Sequence, residues 1–204
     1  MKKRVALILA LVLALLLGGC ADNFLASVPN PVATITMSDG KTLRFELFLQ
    51  DAPNTVANFV ELANSGFYDG LEFFRVVPGV FIQSGDPNND GTGDAGYTIK
   101  GEFTKNGVTN DLSHNRGVIS MARKEGYNTA SSQFFIMQGN YPEYDGSYAA
   151  FGTALDEETL ATLDAIASQP VDGHYLPYKR QKIQTVRVNT HNIELKAETI
   201  PLEQ

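Results

Sequence analysis

Three stretches of this 204-residue chain carry polar and aromatic side chains that packing alone does not explain. The first runs from Phe73 to Asp86 and holds Arg75, Val80, Phe81 and Gln83. The second runs from Gly117 to Arg123, with Ala122, and continues from Ser131 to Ile136 with Gln133 and Phe135. The third runs from Tyr144 to Gly152 and includes Tyr148. They offer an always-ionised multiple donor, amides with a fixed donor and acceptor, and aromatic surface. None contains a nucleophile elbow, a P-loop or a zinc motif, so hydrolysis and phosphoryl transfer have no candidate residues.

Two other patterns match known motifs in letters only. Gly91, Gly93 and Gly96 are spaced as G-x-G-x-x-G, but a dinucleotide site needs that string between a strand and a helix. Here it follows Asp86 to Asp90 and precedes Tyr97-Thr98-Ile99, so no helix opens toward a pyrophosphate. Asp86, Asn88 and Asp90 match the first half of an EF-hand loop, yet its twelfth position is Tyr97 and neither flank is helical. His114, His174 and His191 are too scattered to suggest a metal site. Ser113-His114-Asn115 is a local string, whereas triads are built from spatial neighbours, and such histidines read as surface or loop residues. The single cysteine excludes an internal disulfide and every multi-cysteine zinc pattern.

The elements that must position the three stretches begin with alternation over 32–37 and 42–49 around Ser38-Asp39-Gly40-Lys41, which predicts a β-hairpin. A helix follows, with Asp51 as expected N-cap, Pro53 in the first turn and Gly66 as stop; Val56, Phe59, Val60 and Ala63 form its apolar stripe. Short strands are predicted at 71–77, 80–84, 117–121, 133–138 and 149–155. A second helix starts at Asp156, buries Leu160, Leu163, Ile166 and Ala167, and ends before Pro170. A long strand from Ile183 to Thr190 closes the pattern. Some eight strands with two helices predict a mainly β fold, a closed eight-stranded antiparallel β-barrel capped by two α-helices.

Together and in this order, the three stretches resemble the cyclophilins, the barrel-type peptidyl-prolyl cis-trans isomerases. The resemblance runs from about Val32 to about Leu195 and includes the hairpin, the helix entry Pro53 to Phe59, and the Gly85 to Ile99 loop. It implies that Arg75 is the catalytic arginine, Gln83 the glutamine that binds substrate backbone, and Phe135 the floor of the proline pocket. Ala122 matches a small residue lining the groove for residues before proline, and Gln133 a support for the arginine. Phe81 falls where the family usually has Met and Val80 where it usually has Phe, so the pocket wall is rearranged. Tyr148 stands where the eukaryotic pattern has His, and Tyr144 where Leu is usual. Glu143 lies in or near the position of a Trp used by animal members to bind cyclosporin; with no Trp in the chain, strong binding of that drug is not expected. Taken singly, Phe81 and Phe135 read as core, Gln83 as an exposed strand residue and Arg75 as surface charge.

The implied reaction suits these residue types. Rotation about an X–Pro bond faces roughly 18–20 kcal/mol because amide resonance is lost, and uncatalysed exchange takes tens to hundreds of seconds. No covalent bond breaks, so no cofactor, metal or general base is needed. What is needed is tighter binding of the twisted amide than of either planar isomer. Two functions stay open: an isomerase acting on proline-containing polypeptides, and a module that holds such segments, as a chaperone would, without turnover.

The N-terminus reads as an address. Lys2, Lys3 and Arg4 precede an unbroken apolar run from Val5 to Leu17, followed by Gly18, Gly19 and Cys20. The run is too short for a permanent span and reads as a signal peptide over 1–19. Its end resembles the bacterial lipobox, which implies lipidation of Cys20. Residues 20–30 are then a lipidated tether, 31–197 the isomerase domain and 198–204 a C-terminal tail. The expected protein is extracytoplasmic, lipid-anchored to a bacterial membrane, and monomeric. Without residues 1–19 the chain holds 13 Lys and Arg against 23 Asp and Glu, which argues against nucleic acid and against adhesion to anionic lipid by charge.

Overall fold

The structure, a computed structural model, describes residues 28–202. The signal segment 1–19, Cys20 and the tether up to residue 27 lie outside the described residues. The opening hairpin pairs β1 (Val32–Met37) with β2 (Thr42–Leu47). Its alternation sends Ala33, Ile35 and Met37, then Leu43, Phe45 and Leu47, into one core. Gly40, at φ +87°, makes the turn that a side chain would strain.

Helix α1 (Pro53–Asn64) buries its predicted stripe, but Asp51 does not cap it. Ala52 holds the cap position and has no side chain able to accept a bond. Glu102, 48 residues on, takes that role: its carboxylate accepts the backbone N–H of Asn54 at 3.0 Å and of Thr55 at 2.7 Å, and the Thr55 hydroxyl at 2.7 Å. Helix α2 (Glu157–Ala167) starts as its sequence dictates, with the Asp156 carboxylate accepting from Thr159 N–H at 2.8 Å.

The remaining strands are β3 (Arg75–Val77), β4 (Phe81–Ser84), β5 (Tyr97–Thr98), β6 (Val118–Met121), β7 (Phe134–Met137), β8 (Ala149–Ala154), β9 (Ile183–Asn189) and β10 (Ile200–Pro201). With β1 and β2, six of these form one eight-stranded antiparallel sheet in the order β3-β4-β7-β6-β8-β2-β1-β9, and β5 pairs with β10 apart from it. The predicted closed barrel is therefore corrected: the sheet is an open, curled half-barrel with β3 and β9 as its edges. The reason lies in the segment that would have to close it. Between Pro170 and Pro177 the chain turns back on itself, with the Asp172 carboxylate accepting from His174 N–H at 2.8 Å and Leu176 N–H at 3.0 Å. Only the isolated bridge Glu72 to Lys182 and single bonds such as Val76 N–H to Tyr175 O span the gap.

The main core lies on one face of the sheet, where Phe59 of α1 meets Tyr68, Phe134 and Phe151 at ring distances of 5.3–5.4 Å. Strands β6 and β7 are buried at every position. Their second face carries a smaller apolar cluster of Phe81, Val118, Phe135, Met137 and Ala150. That second face holds the candidate site.

Candidate active site

Strand register brings three of the predicted residues, Arg75, Gln83 and Phe135, into one row. Arg75 pairs with Gln83, Gln83 with Phe135, Phe135 with Ser120, and Ser120 with Ala150. Residues directly opposite in a ladder point to the same face, so this row shares the face turned from the main core. The neighbouring row, Val76, Ile82, Ile136 and Ile119, points into the main core or beneath it. A one-residue slip would exchange the two rows and bury the arginine.

Polar contacts run along the row. Gln133 donates through Nε2 to the carbonyls of Gly93 at 2.9 Å and Gly91 at 3.2 Å, and its Oε1 accepts from Gln83 Nε2 at 2.9 Å. With its amide nitrogen committed, Gln83 presents Oε1 outward, 3.4 Å from Arg75 Nη1. That contact is long for a hydrogen bond, which leaves the exposed guanidinium with donors to spare. The Arg75 guanidinium also lies over the Phe81 ring, 5.1 Å from its centroid.

The glycine-rich loop that matched two motifs has its own explanation. The fully buried Asp86 carboxylate accepts backbone N–H bonds from Asn88 at 2.8 Å and Gly93 at 3.0 Å, and others from Asp90 and Gly91. This wraps the loop around one side chain and aims the carbonyls of Gly91 and Gly93 at Gln133. The acidic and glycine residues thus build a scaffold for the glutamine pair.

Phe135 is the centre of an aromatic enclosure. Its ring lies 5.5 Å from Phe81, 5.9 Å from Tyr144 and 5.5 Å from Tyr148. Val80 and Ala122, both partly buried, pack against the same cluster. Ala122 also lines a cavity of about 140 Å³ with Gln83, Gln133, Gly91, Gly93 and Lys124. Lys124 and Asp94 face each other at 3.5 Å across it. A larger cavity of about 270 Å³, between the β1–β2 turn and α2, contains none of the predicted site residues.

The nine predicted catalytic and substrate-binding residues thus gather on one side of the sheet, Arg75, Phe81, Gln83 and Phe135 from its strands and Val80, Ala122, Gln133, Tyr144 and Tyr148 from the segments around them; Cys20 lies outside the described residues. The sequence reading missed His114. It is 1% exposed and stacks behind Phe135, with ring planes 15° apart and centroids 6.0 Å apart. Its Nδ1 is 2.9 Å from Asp145 Oδ1 and its Nε2 3.0 Å from Ser120 Oγ. Burial pushes the imidazole below its ordinary value, against the pull of Asp145. Arg123 was also given no role: its guanidinium carbon is 4.9 Å from the Tyr148 ring centroid, and Nε donates to Ser147 O at 3.0 Å. Neither residue carries a local signal for the site, because the contacts that tie them to its wall segment, Asp145 for His114 and Ser147 for Arg123, lie 31 and 24 residues away.

Curled antiparallel sheet, arginine–glutamine row and apolar enclosure together offer hydrogen-bond donors and acceptors beside an aromatic floor on one side of the molecule. The sequence model of the cyclophilin type peptidyl-prolyl cis-trans isomerase/CLD family matches residues 32–188, and the chain belongs to that family. A peptidyl-prolyl cis-trans isomerase of Synechococcus elongatus is 46% identical over 125 residues, covering 61% of this chain and 81% of the relative. Peptidyl-prolyl cis-trans isomerase B of Bacillus subtilis is 48% identical over 116 residues, covering 57% of this chain and 78% of the relative. Among solved structures, a cyclophilin type isomerase of Cryptosporidium parvum, crystallised in the presence of the dipeptide Ala-Pro, superposes with a TM-score of 0.68 at 32% identity. It covers 78% of this chain and 98% of that one.

Proposed function

We propose that this cyclophilin-type peptidyl-prolyl cis-trans isomerase turns X–Pro bonds in exported polypeptides and so assists their folding, held at a bacterial membrane by lipid on Cys20. The observation that carries the catalytic part is the row Arg75–Gln83–Phe135, with an exposed guanidinium beside an apolar ring enclosure on one sheet face. The proline ring rests on Phe135 between Phe81, Val80, Tyr144 and Tyr148, while Gln83 Oε1 accepts a substrate backbone N–H. As the amide twists, its nitrogen becomes pyramidal and gains a lone pair, to which Arg75 donates. The bond forms in full only in the twisted state, which is the differential binding that lowers a barrier. Residues before proline run toward the Ala122 cavity.

Activity is tested by NMR exchange on an X–Pro peptide with the chain lacking residues 1–20. Exchange enhancement supports the isomerase; peptide binding without enhancement makes the protein a proline-segment holder instead. Anchoring is tested separately by metabolic palmitate labelling in a bacterial host. Label present in the full chain and lost in Cys20→Ser supports the lipid site, and no label in either refutes it.

A further inference from the structure

The imidazole of His114 occupies a position that neither the proposed mechanism nor ordinary packing requires. A buried polar ring costs stability unless both nitrogens are bonded. Here both are, to Asp145 and to Ser120. A carboxylate only accepts, so Nδ1 carries the proton, and in the neutral ring Nε2 accepts from the Ser120 hydroxyl.

Those two partners are the two sides of the candidate pocket. Ser120 lies directly opposite Phe135 in the β6–β7 ladder and is fully buried. Asp145 follows the short 3-10 helix Pro142–Tyr144, which carries one pocket wall, and stands three residues before the other wall, Tyr148. The attachment of this segment to His114 is threefold. Asp145 Oδ1 accepts both the His114 backbone N–H at 2.7 Å and the ring nitrogen, and His114 O accepts Tyr141 N–H at 2.9 Å. The ring itself lies 5.9 Å from Tyr144 and 6.4 Å from Tyr148 while stacked on Phe135. One side chain therefore touches the floor, ties the wall segment and bonds the strand beside the floor.

We infer that His114 is a positioning residue: by bridging Asp145 and Ser120 behind Phe135 it holds the aromatic floor and the Tyr144–Tyr148 wall in one arrangement, and so sets turnover without touching substrate. The inference rests on the proposed isomerase function. A loosened floor still accepts a planar proline ring, whose binding is apolar and tolerant of small shifts. The twisted state must be held while Arg75 donates, and small misplacements there are costly.

The test compares the full chain with His114→Phe, which keeps an aromatic ring but removes both bonds, His114→Gln, which offers a donor and an acceptor, and Asp145→Ala, which releases the wall segment from outside the core. Two readouts are taken: kcat and KM from NMR exchange on an X–Pro peptide, and the Phe135 ring signals in isotope-labelled, peptide-free protein. The prediction for His114→Phe is a kcat lower by about tenfold or more with KM within about threefold, altered Phe135 ring exchange, and partial recovery in His114→Gln. Asp145→Ala moves both readouts in the same direction and serves if His114→Phe does not fold. Unchanged Phe135 ring signals in the folded variants overturn the inference whatever the turnover, as does a loss confined to KM. Absence of turnover in the unsubstituted chain refutes the isomerase reading instead, and the ring signals still decide whether His114 positions the floor.

Discussion

Arg75 and Gln83 face each other across the β3–β4 ladder, and Gln83 is fixed from behind by Gln133 at 2.9 Å. The arginine is thus positioned by a sequence of backbone carbonyl, amide and amide that ends at the Asp86 loop. Register supplies the alignment, and the loop supplies the direction in which each amide points.

Cutting that sequence at its far end should therefore be felt at its near end. Gln133→Ala removes the acceptor that orients Gln83. Gly93→Ala acts one step earlier, because an added methyl group collides with the Asp86 carboxylate and comes within 2.9 Å of the Pro87 ring. Both variants are predicted to lower kcat/KM by about tenfold, the loss of one oriented hydrogen bond. Exchange kinetics on the same X–Pro peptide measure it. Wild-type values in both would separate the glutamine pair from function.

Glu102 stabilises the fold from a distance. Its carboxylate takes the place of a cap for α1, whose own Ala52 cannot accept. Glu102→Ala leaves those N–H groups and the Thr55 hydroxyl without it, and is predicted to cost about 2 kcal/mol. Thermal unfolding should show this as a midpoint lower by on the order of 5 °C. Because α1 packs on the main core and not on the site face, kcat at low temperature should stay within about twofold.

The His114–Asp145 pair predicts acid sensitivity. Burial holds the imidazole below its ordinary 6.5 despite the pull of Asp145, so the unfolded chain binds a proton that the fold resists. This contribution is complete above about pH 6.5 and is lost as the pH falls toward the lowered folded value. Burial raises Asp145, but bonds from His114 outweigh it and leave the carboxyl below 3.8. Its contribution is present above 3.8 and goes as the pH falls through the folded value. Glu102, raised by burial above 4.5, works in the opposite sense. Denaturant unfolding should therefore give a slope of stability on pH just below 6.5 that His114→Phe lacks. Equal slopes in the two proteins would contradict the burial argument.

Most of the frame was legible because it rests on local periodicity. The stripe Val56, Phe59, Val60, Ala63 and the Asp156 cap are decided within one or two turns of chain. The site residues are readable only through the family resemblance of the arginine, glutamine and phenylalanine stretches, because singly Phe135 reads as core, Gln83 as an exposed strand residue and Arg75 as surface charge; strand register then sets the three in one row. What was not legible depends on partners distant in sequence. Glu102, in place of Asp51, reaches the Asn54 N–H of α1 across 48 residues, and His114 meets Asp145 across 31. Sheet closure was misjudged for a related reason. Strand count is readable from alternation, but whether β9 meets β3 depends on the turn at 170–177, which occupies the place of a strand.

In the proposed function Arg75 stabilises the twisted amide and does little for the planar one. This is tested most directly by exchange NMR on one X–Pro peptide with the unsubstituted chain, Arg75→Ala and Arg75→Lys, measuring kcat and peptide affinity together. Arg75→Ala is expected to lower kcat by about a hundredfold while affinity changes by less than about threefold. Arg75→Lys, which lacks the planar fork, should recover only part of the rate. Equal kcat in Arg75→Ala and the unsubstituted chain would contradict it.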